Sequence, residues 1–272
     1  MRRGLGAAGL YFLLILGAAV TLVPLVWMAA ASFMPAGEAN TFPPHFWPSD
    51  FTLEHYRALF TRLDVARYFL NSTLLALSVT AISLLVNAMA GYAFAKLRFR
   101  GRDRLFRGML AALVIPVQVA MLPLFLLLEQ LGLVNTYWGV IVPGMASIFG
   151  IFLVRQYALS VPDDLLDAAR IDGASEFRIF AQVVMPLCRP ALAALGIFTF
   201  TYQWDDFFWP LVIISSEELR TLPLGLALFV TRNRTAWDLL MAGSVITTVP
   251  VLLVFLLFQR HFIRGIAVTG MK

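Results

Sequence analysis

The sequence predicts an all-α polytopic membrane protein with six transmembrane helices, and three observations carry that prediction. The 272 residues have a mean hydropathy of +0.80, only 14% are charged and 23 are Phe, which lies well outside the range of soluble domains. Six apolar stretches each reach the roughly 20 residues that a helix needs to cross a hydrocarbon core. The basic residues are also divided unevenly among the segments that join those stretches. A single cysteine, Cys188, excludes an internal disulfide and argues against cysteine-based metal sites. No G-x-x-x-x-G-K-[ST] phosphate loop and no HExxH pattern occurs, and His45, His55 and His261 are scattered outside the apolar spans. The chain is therefore expected to hold no catalytic residue and no metal. Its net charge of +5 is expected to report orientation in a lipid bilayer, with no nucleic-acid partner.

The first span runs from about residue 4 to 33, after Arg2 and Arg3. Ala29, Ala30 and Ala31 resemble a signal cleavage site, but the apolar run exceeds the roughly 7–15 residues of a signal h-region, so a retained span is expected. Residues 34–67, with Trp47, Tyr56 and several prolines, read as an ordered extramembrane loop containing a short interfacial helix. The second span, 69–95, carries Ala88, Gly91 and Ala95, small residues at a spacing that lets another helix approach closely. Residues 96–107 hold six basic residues and one acid, which suits a cytoplasmic anchor. The third span (105–128) contains Pro116 and Pro123, and the fourth (137–157) contains Pro143, so kinks are expected in both. The fifth span covers 191–214 and the sixth 239–258, with a second extramembrane segment at 215–237 between them.

The polar stretch 158–190 interrupts this pattern. It reads as two short helices: Ser160 with Asp163 three residues on suits a capped first turn, and Pro162 is harmless there. Gly173 is suited to the positive φ that ends a helix, and Ser175 is a candidate cap for the second one. Phe177, Phe180 and Val184 fall on one face of that second helix, and Pro186 and Pro190 close the segment. A hairpin with an apolar face and a charged rim predicts a docking partner.

Charge decides which side it faces. With the N-terminus inside, fifteen of the 21 basic residues are internal: Arg2 and Arg3, six in 96–107, Arg155, Arg170, Arg178, Arg189, Arg260, Arg264 and Lys272. The other six are external. Both termini and the 158–190 hairpin are thus expected in the cytoplasm.

The segment 167–190, with Asp167, Ala168, Ala169, Gly173, Ala174, Pro186 and Pro190, closely resembles the E-A-A-x-x-x-G loop of bacterial ABC importer permeases. Asp167 stands where the family usually has Glu, which keeps the charge and shortens its reach by one methylene. The pairs Asn71-Ser72 and Asn135-Thr136, residues 91–95 and 99–102, Trp204-Asp205-Asp206-Phe207 and the tail 265–272 are similar to the carbohydrate branch, the maltose-permease G type. The similarity covers residue 71 to the C-terminus.

That resemblance implies a type I ABC importer permease fold, one transmembrane domain over 1–272 with its core at 69–262. It implies that 158–190 is a coupling helix docking on a separate ATPase dimer. Asp167, Arg170, Asp172, Glu176 and Arg178 would fix the register of the joint, and Phe177 and Phe180 would supply its apolar contact. ATP and Mg would bind that partner and not this chain. A second permease subunit would complete the pathway, and the outer segments 34–67 and 215–237 would meet an extracytoplasmic solute-binding protein. The solute implied is a sugar, an oligosaccharide or disaccharide; a polyol or glycerol phosphate is the alternative.

Carboxylates inside an apolar span are costly and face a cavity or a partner. Asp205 and Asp206 are accordingly candidates to line the solute path, with Trp204, Phe208 and Gln118, or else to form a structural network at a subunit interface. On a regular helix adjacent side chains diverge by about 100°, so only one of the two aspartates would face the path. An ion-coupled secondary transporter would need more buried ionisable groups or matching halves, and neither is evident.

Overall fold

The computed structural model describes residues 2–62, 64–229 and 236–269, with side chains described at 9–61, 64–229 and 236–259. Arg2, Arg3, Arg62, Arg232, Arg234, Arg260, Arg264 and Lys272, which enter the charge count, lie outside the described side chains. Every regular element among the described residues is helical. Four helices are long and apolar enough to cross a membrane, and two bent pairs each pass the same test together.

The chain divides into two compact units. One comprises residues 1–66 and 222–250. It contains α1 (Arg2–Ala31), α2 (Glu54–Arg62), α12 (Leu222–Leu226) and the first part of α13 (Trp237–Thr269). The C-terminal end of α1 is held by the loop that follows it: Phe33 stacks on Phe51 at 4.4 Å, and the His55 ring lies 2.7 Å from the Met34 carbonyl. Trp27 donates to the His45 carbonyl, and the Gly37 amide donates to Asp238 at the start of α13. The expected ordered loop with a short helix is therefore present. Leu226 of α12 presses against Gly243, leaving no room for a Cβ there.

The second unit comprises residues 67–221 and 251–272. Its frame is α3 (Val65–Lys96), with α4 (Arg102–Ala112), α5 (Val117–Gln130), α6 (Tyr137–Gly144) and α7 (Ile148–Leu159) following in order. Then come α8 (Asp163–Ile171), α9 (Glu176–Leu187), α10 (Arg189–Asp205) and α11 (Phe208–Ile213). Gly91 lets α7 approach α3 so closely that a Cβ there would sit 2.7 Å from the Val154 side chain, as the small-residue spacing predicts.

Three of the expected spans are interrupted rather than merely kinked. Pro116 cannot donate into a helix, so α4 stops and α5 begins there, at a bend of 106°. Between α6 and α7 the chain breaks at residues 145–147, and Asn87 of α3 repairs the break. Its Oδ1 accepts from the Ser147 amide at 2.9 Å while its Nδ2 donates to Ser83 at 2.6 Å. Ser147 then caps α7 by accepting from Gly150. The third break, after Asp205, separates α10 from α11.

Asn71, near the start of α3, accepts from Tyr137 and donates to the carbonyls of Glu218 and Arg220. Asn135, at φ 56°, accepts from the amides of Ser215 and Ser216. Two asparagines thus pin the segment after α11.

Candidate functional site

The hairpin 158–190 forms as two helices around Gly173, with one boundary moved. Ser160 does not open α8; it sits at the end of α7, and its hydroxyl donates to the Tyr157 carbonyl. The N-cap is Pro162. The reason is local: a residue before proline is disfavoured in helical φ/ψ, so Val161 cannot serve as a first helical residue after a Ser160 cap. Asp163 and Asp164 then occupy the first turn, where negative charge suits the helix dipole. At the other end, the Ala174 amide donates to the Ala169 carbonyl (2.9 Å) and the Gly173 amide to the Arg170 carbonyl (3.0 Å). These two bonds make a Schellman motif, which requires the positive φ of +79° that Gly173 supplies. Ala169 and Ala174 therefore act through their backbones. Ser175 caps α9 as expected, accepting from the Arg178 amide.

Polar side chains lock the hairpin to itself and to α3. Arg170 donates to Asp167 at 2.7 Å and to Glu176 at 2.8 Å, and the second oxygen of Glu176 accepts from the Tyr92 hydroxyl at 2.7 Å. Arg170, and after it Tyr92, hold the Glu176 carboxyl below its ordinary range, and the same carboxylates raise the Arg170 guanidinium. Lys96, its side chain only 5% exposed, donates to the Val161 carbonyl and to Asp163, both at 2.6 Å, and this bond keeps Asp163 ionised to lower pH.

The apolar residues split into two sets. Leu166, Ile179, Phe180, Val184 and Cys188 are buried with Ala88, Tyr92, Ala95, Ala158 and Val161 in one cluster. Phe180 packs on Tyr92 with ring centroids 5.5 Å apart. Phe180 and Val184 were expected on the docking face with Phe177, and both are buried, although the Phe180 ring still lies 5.9 Å from that of Phe177. A π-helical segment at Phe180–Val184 breaks the 3.6-residue register on which that face was drawn. Ile171, 87% exposed, and Phe177, 67% exposed, stand furthest out, with Leu159, Leu165 and Leu187 also exposed. Asp172 and Arg178 are exposed beside them. Pro186 lies inside the last turns of α9, and Pro190 begins α10 after a bend of 81°.

A cavity of about 540 Å³ lies among α5, α6 and the α10–α11 break. Gln118, Asp205, Asp206 and Phe208 line it, as expected; Trp204 does not. Trp204 is 1% exposed, edge-on to Phe69 at 5.4 Å and stacked with Phe200. It belongs to the core. Both aspartates reach the cavity because the helix ends between them: Asp206 is extended (φ −67°, ψ 119°), so the 100° divergence of a regular helix does not apply. The Asp206 carboxylate accepts from the Trp209 amide at 3.3 Å, and the Trp209 indole donates to the Gly139 carbonyl at 3.0 Å.

Tyr202 and Gln203, which were not anticipated, also line this cavity, together with Trp209. Tyr202 lies three residues before Asp205, a same-face spacing that could have found it. No Lys, Arg or His among the described residues lines the cavity. Among the described residues no group of three or more His, Cys, Asp or Glu could hold a metal ion.

Comparison with known proteins agrees with this geometry. The chain is 42% identical over 256 residues to the arabinooligosaccharides transport system permease protein AraQ of Halalkalibacterium halodurans, covering 93% of this chain and 92% of that one. It is 33% identical to the lactose transport system permease protein LacG of Rhizobium radiobacter, covering 97% and 96%. Its fold matches a chain of a bacterial ABC transporter that imports the acidic polysaccharide alginate, with a TM-score of 0.84 at 24% identity, covering 96% and 97%. Residues 87–268, which include the hairpin, its α3 anchors and both cavity aspartates, match the family model outright, and the chain belongs to the binding-protein-dependent transport system inner membrane components.

Proposed function

We propose that this permease forms half of the solute path of an ATP-driven sugar importer and takes up motion from its ATPase through the 158–190 hairpin. Taking one crossing from each bent pair gives six, with both termini and the hairpin in the cytoplasm; the fifteen of 21 basic residues that then fall on that side support the orientation. The observation that carries the proposal is the contrast within the hairpin. Ile171 and Phe177 stand exposed beside its charged rim, while the same hairpin is fixed to α3 through Lys96 and Tyr92. An exposed apolar pair on a rigidly braced turn suits a docking knob that transmits displacement to the spans.

ATP and Mg are bound by the partner ATPase dimer, and a second permease subunit supplies the other half of the path. The pinned outer segments, 34–67 and 215–237, face the solute-binding protein. In the cavity, carboxylates and amides suit sugar hydroxyls, and Phe208, Tyr202 and Trp209 offer ring faces for C–H surfaces. Two carboxylates with no cation beside them disfavour an anion such as glycerol phosphate, so a neutral oligosaccharide or disaccharide fits better than the phosphorylated alternative.

Two measurements test this. Phe177→Glu and Ile171→Glu, both at exposed positions, should leave the chain in the membrane and abolish co-purification of the ATPase; normal association would overturn the docking role. Mass spectrometry of the solute captured by the cognate binding protein should give a neutral sugar; a phosphorylated or carboxylated solute overturns the solute class.

A further inference from the structure

We propose that residues 98–107 form a binding site for the phosphate-bearing headgroup of an anionic phospholipid of the inner leaflet. A cavity of about 590 Å³, separate from the hairpin and the solute cavity, is lined by Arg98, Phe99, Arg102, Asp103, Arg104 and Arg107, with Gly101 at its turn. Four guanidiniums face one carboxylate, and that carboxylate is already bonded to Arg102 at 3.1 Å. Arg102 also donates to the Leu97 carbonyl and Arg107 to the Asp103 carbonyl, so these two are positioned by the backbone. Arg104 has no hydrogen bond or ion pair among the described residues, and Arg98 acts on Asp163 only at long range. The cavity therefore holds unneutralised positive charge arranged for an anion with several acceptor oxygens.

Two features select a lipid over a soluble anion. The cavity begins directly beyond the end of α3 and at the start of the bent α4–α5 pair, which places it at the mouth of a membrane crossing. Phe99 and Leu105 are exposed beside the arginines. A headgroup can meet the guanidiniums while its chains meet these apolar side chains, the pattern of an interfacial amphipathic helix.

This rests on the cytoplasmic placement of 96–107, which is tested separately: a membrane-impermeant thiol reagent should reach Gly108→Cys from the cytoplasmic side only. Labelling from outside overturns the topology and the site with it. For the site itself, the assembled transporter is purified from membranes, delipidated by dilution in detergent, and its retained phosphatidylglycerol and cardiolipin are measured by native mass spectrometry. Arg98→Gln with Arg104→Gln should weaken retention roughly ten- to thirty-fold. Arg100→Gln, an exposed arginine outside the cavity, should not, and Arg98→Lys with Arg104→Lys should keep most of it. Equal loss from Arg100→Gln would mean diffuse surface charge and overturn the site. So would full displacement by millimolar inorganic phosphate, or loss of the ATPase subunit from the double variant, which would make the surface a protein contact.

Discussion

The Tyr92 hydroxyl donates to the Glu176 carboxylate at 2.7 Å across 84 residues of sequence, and the other oxygen of that carboxylate holds Arg170. One side chain of α9 thereby joins the hairpin turn to the frame helix. Tyr92→Phe removes the bond while keeping the ring against Phe180. It should cost about 1–2 kcal/mol of thermal stability in detergent. ATPase association should persist while transport per ATP hydrolysed falls. Unchanged coupling in this variant would show that the brace does not transmit force.

The same carboxylate sets a pH dependence. Arg170 and Tyr92 depress the folded-state ionisation of Glu176 below its ordinary value of 4.5, so the folded form favours the anion. The stabilisation is therefore complete above that ordinary value and is lost as pH falls through the depressed one. The stability difference between wild type and Glu176→Gln should be constant from pH 8 to pH 6 and shrink only under strongly acidic conditions. A difference that shrinks between pH 7 and pH 6 would rule out this origin.

Gly173 has open space around its missing Cβ, so substitutions there report backbone strain and not collision. At φ +79° a β-branched residue should cost about 1–3 kcal/mol. Gly173→Val should lose coupled transport, and Gly173→Asn, which tolerates left-handed φ, should retain much of it. Equal activity of the two variants would dissociate the Schellman turn from coupling.

Gly91 is the opposite case. A methyl there meets Val154 at 2.7 Å and the Arg155 amide at 3.0 Å. Gly91→Ala should push α7 from α3 and lower stability by about 1–3 kcal/mol, with aggregation on heating as a simple readout. Full stability would mean that the two helices yield without strain.

The two cavity aspartates should separate by role. Asp205 has no hydrogen-bond partner among the described residues, while Asp206 caps α11 through Trp209. Asp205→Asn should reduce uptake with wild-type thermal stability. Asp206→Ala should lower both, by about 1 kcal/mol in stability for the lost cap. Normal uptake in both variants would remove this cavity from the solute path.

Much of this molecule was legible in the chain. Apolar run lengths located the four long apolar helices and the two bent pairs, and the Gly173 turn and the Ser175 cap followed from residue type alone. The close approach at Gly91 followed from small-residue spacing. What was hidden depended on departures from helical periodicity. The π segment at Phe180–Val184 shifted the register of the residues after Phe180, and the break after Asp205 brought two adjacent carboxylates to one cavity. Pro162 moved the start of α8 by a constraint on the residue before it. Long-range partners such as Tyr92 with Glu176, or Asn87 with Ser147, leave no local signature, because each makes sense only once two distant helices are side by side.

The gap between α10 and α11 has one more consequence. Asp206 and Phe207 form a two-residue tether between a tryptophan immobilised in the core, Trp204, and another moored to a carbonyl of α6, Trp209. The Asp206 carboxylate is suspended between these two moorings, and Asp205 sits at the end of α10 beside it. The width of this cavity thus follows how far apart the tryptophans are held, and a change at Phe69, Phe200 or Gly139 can retune it without touching any residue that lines it.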